Sequence, residues 1–117
     1  MPRFALLCHD APRGWHCDFF LERGDVLRTW ELPSLPEIGK TVPAEPLADH
    51  RLLYLDYEGP ISGDRGMVTR WDRGDYEVVA FEDTLVHVKL SGTKLTGEVI
   101  LQRSSKELKE WKFVWTV

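Results

Sequence analysis

HCDFFLE (16–22) and VLRTWEL (26–32) stand on either side of Arg23-Gly24-Asp25. Both runs are rich in aromatic and branched residues, and a three-residue connector with a central glycine is a hairpin signal. Alternate side chains of an extended chain face opposite ways, so His16, Asp18 and Phe20 share one face and Cys17, Phe19 and Leu21 the other. One face therefore carries an imidazole beside a carboxylate, and the other is ready to enter a core. That single hairpin sets the expectation of a β protein with chemistry on one side of a sheet.

Outward from it, the chain continues in short extended runs. Strands are expected at 3–8, 52–57, 67–72, 76–81, 84–90, 95–102 and 111–117, with Glu58-Gly59-Pro60, Asp72-Arg73-Gly74-Asp75 and Ser91-Gly92-Thr93 as turn clusters. In TLVHVKL (84–90), Leu85, His87 and Lys89 fall on one face and Val86, Val88 and Leu90 on the other, the pattern of a sheet with one wet side. All seven prolines lie in the first 60 residues, and Pro33, Pro36, Pro43 and Pro46 are clustered. Proline lacks an N–H and fixes φ, so 33–49 reads as a long ordered loop. SSKELKE (104–110) is the only helical stretch and holds about two turns. Many short strands and almost no helix give an all-β expectation, a β-barrel or a sandwich of about eight strands, in one domain over 1–117 with a long proline-rich loop and at most one short helix.

Composition narrows the function classes. With 43% hydrophobic and 29% charged residues, the chain has the make-up of an ordinary folded domain. No apolar run approaches the roughly 18 residues that span a bilayer, and no leader pattern opens the chain, so a cytoplasmic monomer without membrane attachment is expected. The formal charge of −4 disfavours a protein that coats long stretches of nucleic acid, because phosphate neutralisation supplies most of that affinity. A site for a single phosphate or a strand end remains compatible. Cys8 and Cys17 are too few for a disulfide framework and lack a zinc-knuckle spacing; they read as small buried side chains.

Of the four histidines, His9 closes the first strand, His16 lies two residues before Asp18, and His50 follows Asp49 at the start of an expected strand. Three imidazoles and a carboxylate suit a first-row divalent metal such as Mn²⁺ or Zn²⁺ with positions open to water and substrate. His87, on the wet face of a regular strand, reads as structural. Trp30, Trp71, Trp111 and Trp115 read as core, and Trp15 as packing.

Five segments, in order, resemble the 3'-phosphoesterase domain of bacterial DNA ligase D: HDAPRGWHCDFFLE (9–22), VLRTWELP (26–33), ADHRLLYLDYEGPI (48–61), WDRGDYE (71–77) and LSGTKLTGEVILQR (90–103). The second is similar to a V-L-x-S-W-x-V-P motif. The resemblance implies a small closed β-barrel, here of about eight strands, a bound Mn²⁺, and trimming of 3'-phosphates or 3'-terminal ribonucleotides to leave a 3'-hydroxyl. DNA or RNA 3' ends are the expected partners, and a ligase or polymerase is expected to act in trans. It places His9, His16, Asp18 and His50 on catalytic and metal-site positions and Tyr54 near the phosphate. His16, Asp18 and His50 are then expected as metal ligands, with His9 as the general acid–base or a further ligand.

The departures fall on the anion-binding side. Phe20 stands where the family motif has an arginine, Ser34 where it has a lysine, Ala48 where it has a glutamate and Leu7 where it has a glutamine. A guanidinium grips phosphate through two parallel hydrogen bonds, which a phenyl ring cannot do. Arg51, Arg13 and Lys40 are the expected substitutes, with Arg23 and Arg65 behind them. Two functions follow: a metal-dependent 3'-phosphoesterase with a depleted phosphate clamp, or a diverged non-catalytic module that binds nucleic-acid ends or protein.

Overall fold

The computed structural model describes residues 1–12, 14–61, 65–105 and 109–117. Among them run nine strands: β1 (Arg3–Ala11), β2 (Gly14–Arg23), β3 (Val26–Leu32), β4 (Thr41–Arg51), β5 (Gly59–Pro60), β6 (Met67–Phe81), β7 (Leu85–Gly92), β8 (Thr96–Arg103) and β9 (Trp111–Thr116). Every strand pairing is antiparallel. The neighbour order is β1-β2-β3-β4-β9-β8-β7-β6, and β6 pairs back onto β1. Hydrogen bonding thus rings through eight strands, with the two-residue β5 attached to β6 alone, and closure removes most of the sheet edges.

The interior of the ring is filled. Phe4, Leu6, Cys17, Phe19, Leu21, Trp30, Leu32, Val88, Leu101 and Phe113 belong to one buried cluster. Phe19 meets Phe113 edge-on at 5.3 Å, and Trp30 meets Trp111 at 5.7 Å. The alternation expected for β2 holds: Cys17, Phe19 and Leu21 point inward. Cys8 and Cys17 face each other across the ladder as free thiols, their Sγ atoms 2.8 Å apart. A second, smaller cluster lies on the outside of the ring, where Ala5, Leu7, Phe20, Leu27, Leu55 and Val68 pack together. Leu52, Tyr54, Tyr57 and Ile61 lie against it.

Four segments differ from their sequence expectation. The loop expected at 33–49 ends at residue 40, and Pro43 and Pro46 lie inside β4. The first part of β4 (41–44) pairs with β9 and the later part (45–51) with β3. Each stretch thus has a ladder on one side only, which leaves room for a residue without an N–H. The strand expected at 52–57 is a 3₁₀ turn, Leu52–Leu55. Leu52 and Leu55, three apart, stack on one side of such a turn and meet the outer cluster. The turn expected at Asp72–Asp75 lies within the continuous strand β6. The Asp72 carboxylate instead accepts the backbone N–H groups of Thr93, Lys94 and Leu95 at 3.1, 2.9 and 2.7 Å and so fixes the β7–β8 turn. Of the helix expected at 104–110, residues 106–108 lie outside the described residues. The flanking positions are not helical, and the Ser104 N–H donates to the Glu110 carbonyl at 2.9 Å. Trp15 also differs: it is 45% exposed rather than packed. His87 is structural, bonded through Nε2 to Glu98 Oε1 at 2.8 Å.

Candidate metal centre on the outer face

The site is built on the outside of the ring, on the faces of β1, β2 and β3 that do not enter the core. His9 lies opposite His16 in the β1–β2 ladder, and their rings meet edge-on with centroids 5.0 Å apart. Asp18 lies opposite Glu31 in the β2–β3 ladder. Arg23 pairs with Val26, so the connector is two residues long, Gly24-Asp25, rather than three. Gly24 has φ +62°, which primed two-residue turns require. A three-residue connector would have set Trp30 opposite Asp18. The shorter turn puts a second carboxylate there instead, a residue the sequence motifs did not single out.

His16 Nε2 lies 3.6 Å from Asp18 Oδ1 and 3.6 Å from Glu31 Oε1. One ligand atom from each of the three lies within 4.8 Å of the others. The side chains of His16 and Asp18 are 14% and 15% exposed, and that of Glu31 is 27% exposed, at the rim. Asp18 Oδ1 is fully buried and accepts no hydrogen bond among the described residues. Burial pushes the Asp18 carboxyl above its ordinary range, against the pull of His16 and His50; Glu31 adds to the rise and His9 opposes it. A buried carboxylate oxygen without a donor is costly, and a cation is the partner that removes that cost. Two oxygens and an imidazole nitrogen are a donor set for a hard or borderline divalent cation.

His50 joins through an irregularity. Thr29 pairs with Leu47 but Leu27 pairs with His50, so β4 carries one extra residue between them. This bulge shifts the face on which β4 side chains emerge. Counting by twos from Leu47 would send Asp49 toward the site; the bulge sends His50 beside Leu27 instead. Near the end of β4, rather than at the start of a strand, His50 Nδ1 donates to the Ala48 carbonyl at 2.9 Å. That bond leaves Nε2 with the free lone pair. The 3₁₀ turn then brings the Tyr54 ring to 5.9 Å from that of His50, edge-on. Asp56 holds the segment down through Arg73 at 2.9 Å and Arg3 at 3.4 Å.

His9, Asp18, Phe20, His50, Tyr54 and Arg65 share one cleft of about 500 Å³ with Leu7, Ile61 and Val68. His9 Nε2 donates to the Arg65 carbonyl at 2.7 Å, which leaves Nδ1 as its free nitrogen. Gly66 permits that approach: a Cβ there would come within 2.0 Å of the Asp10 carbonyl oxygen. The expected cations divide. Arg65 lines the cleft. Arg51 is exposed and is not among the residues lining it. Lys40 is paired with Glu37 at 3.0 Å, next to Gly39, whose N–H reaches Trp115 on β9. Arg23 lies over the Phe81 ring at 4.0 Å. Arg13 lies outside the described residues. Phe20 is 1% exposed, with its ring 5.3 Å from that of His50.

Comparison with known proteins identifies the family. The family model described as the DNA Ligase D 3'-phosphoesterase domain matches residues 8–103. A relative named Multifunctional non-homologous end joining protein LigD, from Pseudomonas aeruginosa, is 34% identical over 113 residues, covering 88% of this chain and 13% of that protein. Multifunctional non-homologous end joining DNA repair protein LigD from Mycobacterium tuberculosis is 37% identical over 114 residues, covering 87% of this chain and 14% of that protein. The match thus spans 13–14% of the length of these relatives. With a family model covering most of its length and such relatives in two genera, the chain belongs to the DNA ligase D 3'-phosphoesterase domain family.

Proposed function

We propose that the chain is a metal-dependent phosphoesterase that processes 3' ends of DNA, removing a 3'-phosphate or a 3'-terminal ribonucleotide to leave a 3'-hydroxyl. The observation that carries this is Asp18 Oδ1, buried without a donor beside His16 on the cleft that also holds His9 and His50. His16 and Asp18 would hold the ion, with His50 Nε2 completing the set. Manganese is the preferred ion for such an oxygen-and-imidazole site. When bound, the ion supplies Lewis-acid polarisation of a phosphoryl oxygen.

The chain's own groups do the rest. Hydrolysis breaks the P–O bond to the sugar, adds water oxygen to phosphorus, and delivers a proton to the departing 3' oxygen. His9 is fixed by its Nε2–H on the Arg65 carbonyl, so Nδ1 is the atom that carries that proton. The Tyr54 hydroxyl and Arg65 lie on the same cleft and orient the phosphate. A ligase or polymerase would take up the 3'-hydroxyl.

A specific observation favours the second reading, a module that binds nucleic-acid ends or protein without turnover. Phe20 is buried, and neither Arg51 nor Lys40 is among the residues lining the cleft, which leaves the phosphate with little positive charge. The test is direct. A duplex with a recessed 3'-phosphate, and one with a 3'-terminal ribonucleotide, are incubated with the chain and Mn²⁺. Turnover to a 3'-hydroxyl that disappears in Asp18→Asn supports the enzyme. Absence of turnover with Mn²⁺ on both substrates rejects it in favour of the binding module.

A further inference from the structure

Glu31 is the residue whose placement the motifs leave unexplained. Its strand position is set by the two-residue turn at Gly24-Asp25, which puts it opposite Asp18 on the outer face. Its Oε1 and Asp18 Oδ1 flank the same nitrogen, His16 Nε2, each at 3.6 Å. That separation is too long for a hydrogen bond, so neither carboxylate is satisfied by the imidazole. Two carboxylates side by side repel each other, and a cation between them removes that repulsion. The three ligand atoms are spaced for one ion between them. Glu31 is also the most exposed of the three, and so is placed to close the site from the solvent side.

We propose that Glu31 is a further direct ligand, beside His16 and Asp18, to a hard divalent cation at this centre. The inference rests on the reading of this face as a metal site and adds to it an anionic ligand at a position the family motif leaves open. A second carboxylate enriches the site in oxygen, which favours Mn²⁺ or Mg²⁺ over softer ions. It also removes one unit of positive charge from the bound centre. The chain therefore holds its ion more firmly while offering less attraction to a phosphate, in line with the loss of the arginine at Phe20.

The neighbour of Glu31 supplies the control. Glu45 lies opposite Glu31 in the β3–β4 ladder, is exposed, and is not in the His16–Asp18–Glu31 group. Removing its charge changes the local field without removing a ligand. The experiment measures Mn²⁺ binding to the full chain from the electron paramagnetic resonance signal of free Mn²⁺. It compares wild type, Glu31→Gln, Glu45→Gln and Asp18→Asn, with thermal unfolding in chelator to check that each variant folds. The expected result is one Mn²⁺ per chain in wild type and no measurable binding in Asp18→Asn. Glu31→Gln should bind at least about 10–100-fold more weakly, the loss typical even for a residue acting behind a ligand. Glu45→Gln should stay within about threefold of wild type. Equal weakening in the two glutamate variants would overturn the proposal, since Glu31 would then act only through its charge. Wild-type binding by Glu31→Gln would overturn it too, while leaving a centre of His16 and Asp18 intact. No binding by wild type would remove the metal reading itself, and the role of Glu31 with it.

Discussion

Phe20 occupies the point where the sequence departs most from its family, and its burial decides what that departure means. The ring belongs to the outer cluster with Leu27 and Leu55 and lies against His50. It therefore serves the packing under the cleft rather than the contents of the cleft. Phe20→Arg exchanges that packing for a guanidinium that can turn toward a bound phosphate. Removing a buried phenyl group costs about 3–5 kcal/mol when nothing replaces it, and the arginine stem recovers part of that. The melting temperature is expected to fall. If the centre is catalytic, Mn²⁺-dependent 3'-phosphatase turnover should rise by up to roughly 10²–10³-fold, the scale of one preorganised charge-stabilising contact. A steady-state assay and a thermal melt on the same sample check both halves. Loss of stability with no gain in turnover would count against a competent centre.

At the scale of elements, the informative features are a turn, a bulge and a carboxylate that holds a turn in place. The two-residue connector of β2–β3 sets the Asp18–Glu31 pair, and the bulge in β4 aims His50. Neither is visible in the residues themselves: Arg23-Gly24-Asp25 is compatible with a two- or three-residue connector, and Ala48-Asp49 carries no bulge signal. Asp72 illustrates the converse. Asp-Arg-Gly-Asp is turn-forming in isolation, yet β6 runs straight through it because its neighbours on both sides supply ladders. Asp72 spends its turn chemistry on another segment, accepting three N–H groups at 93–95. Asp72→Ala leaves those donors without their acceptor and should cost about 3 kcal/mol or more, because hydrogen bonds to a charged acceptor are worth about 1.5–3 kcal/mol each. Urea denaturation should show a lower midpoint at unchanged slope. A midpoint within error of wild type would mean water replaces the carboxylate.

Across the whole molecule, closure is reinforced from within by Tyr76. Its hydroxyl donates to the Glu22 carbonyl at 2.6 Å, joining β6 to β2 beyond β1, and its N–H donates to the Pro2 carbonyl at 3.0 Å. Burial raises the Tyr76 pKa above 10.0, and Arg23 opposes the rise only in part. In the unfolded chain the phenol ionises near that ordinary value, while in the folded chain it keeps its proton to higher pH. Between the two, the unfolded state binds fewer protons, so stability falls as pH rises above about 10. Tyr76→Phe should lower stability near neutral pH by about 1 kcal/mol through the lost hydrogen bond. It should also flatten the alkaline decline relative to wild type. Denaturant melts from pH 7 to 11 test this. Parallel curves for the two proteins would show that another group drives the decline.

The sequence by itself determined the strand class, the inward faces of β2 and β7, and the short list of chemistry-bearing side chains. Those properties follow from period-two alternation and from residue chemistry, both local. The tertiary structure decided where the residues meet. Cross-strand register depends on one residue more or less in a turn or a bulge, and each such residue reverses the face of everything beyond it. His9 and His16 were legible as candidates because a strand places them whatever its partner. Glu31 was not, because a glutamate in W-E-L-P becomes a ligand candidate only when the ladder sets it opposite Asp18. Lys40 and Arg51 were plausible as free charges in a sequence. The fold leaves them off the cleft, since position in the ring, and not charge, decides what a side chain can reach.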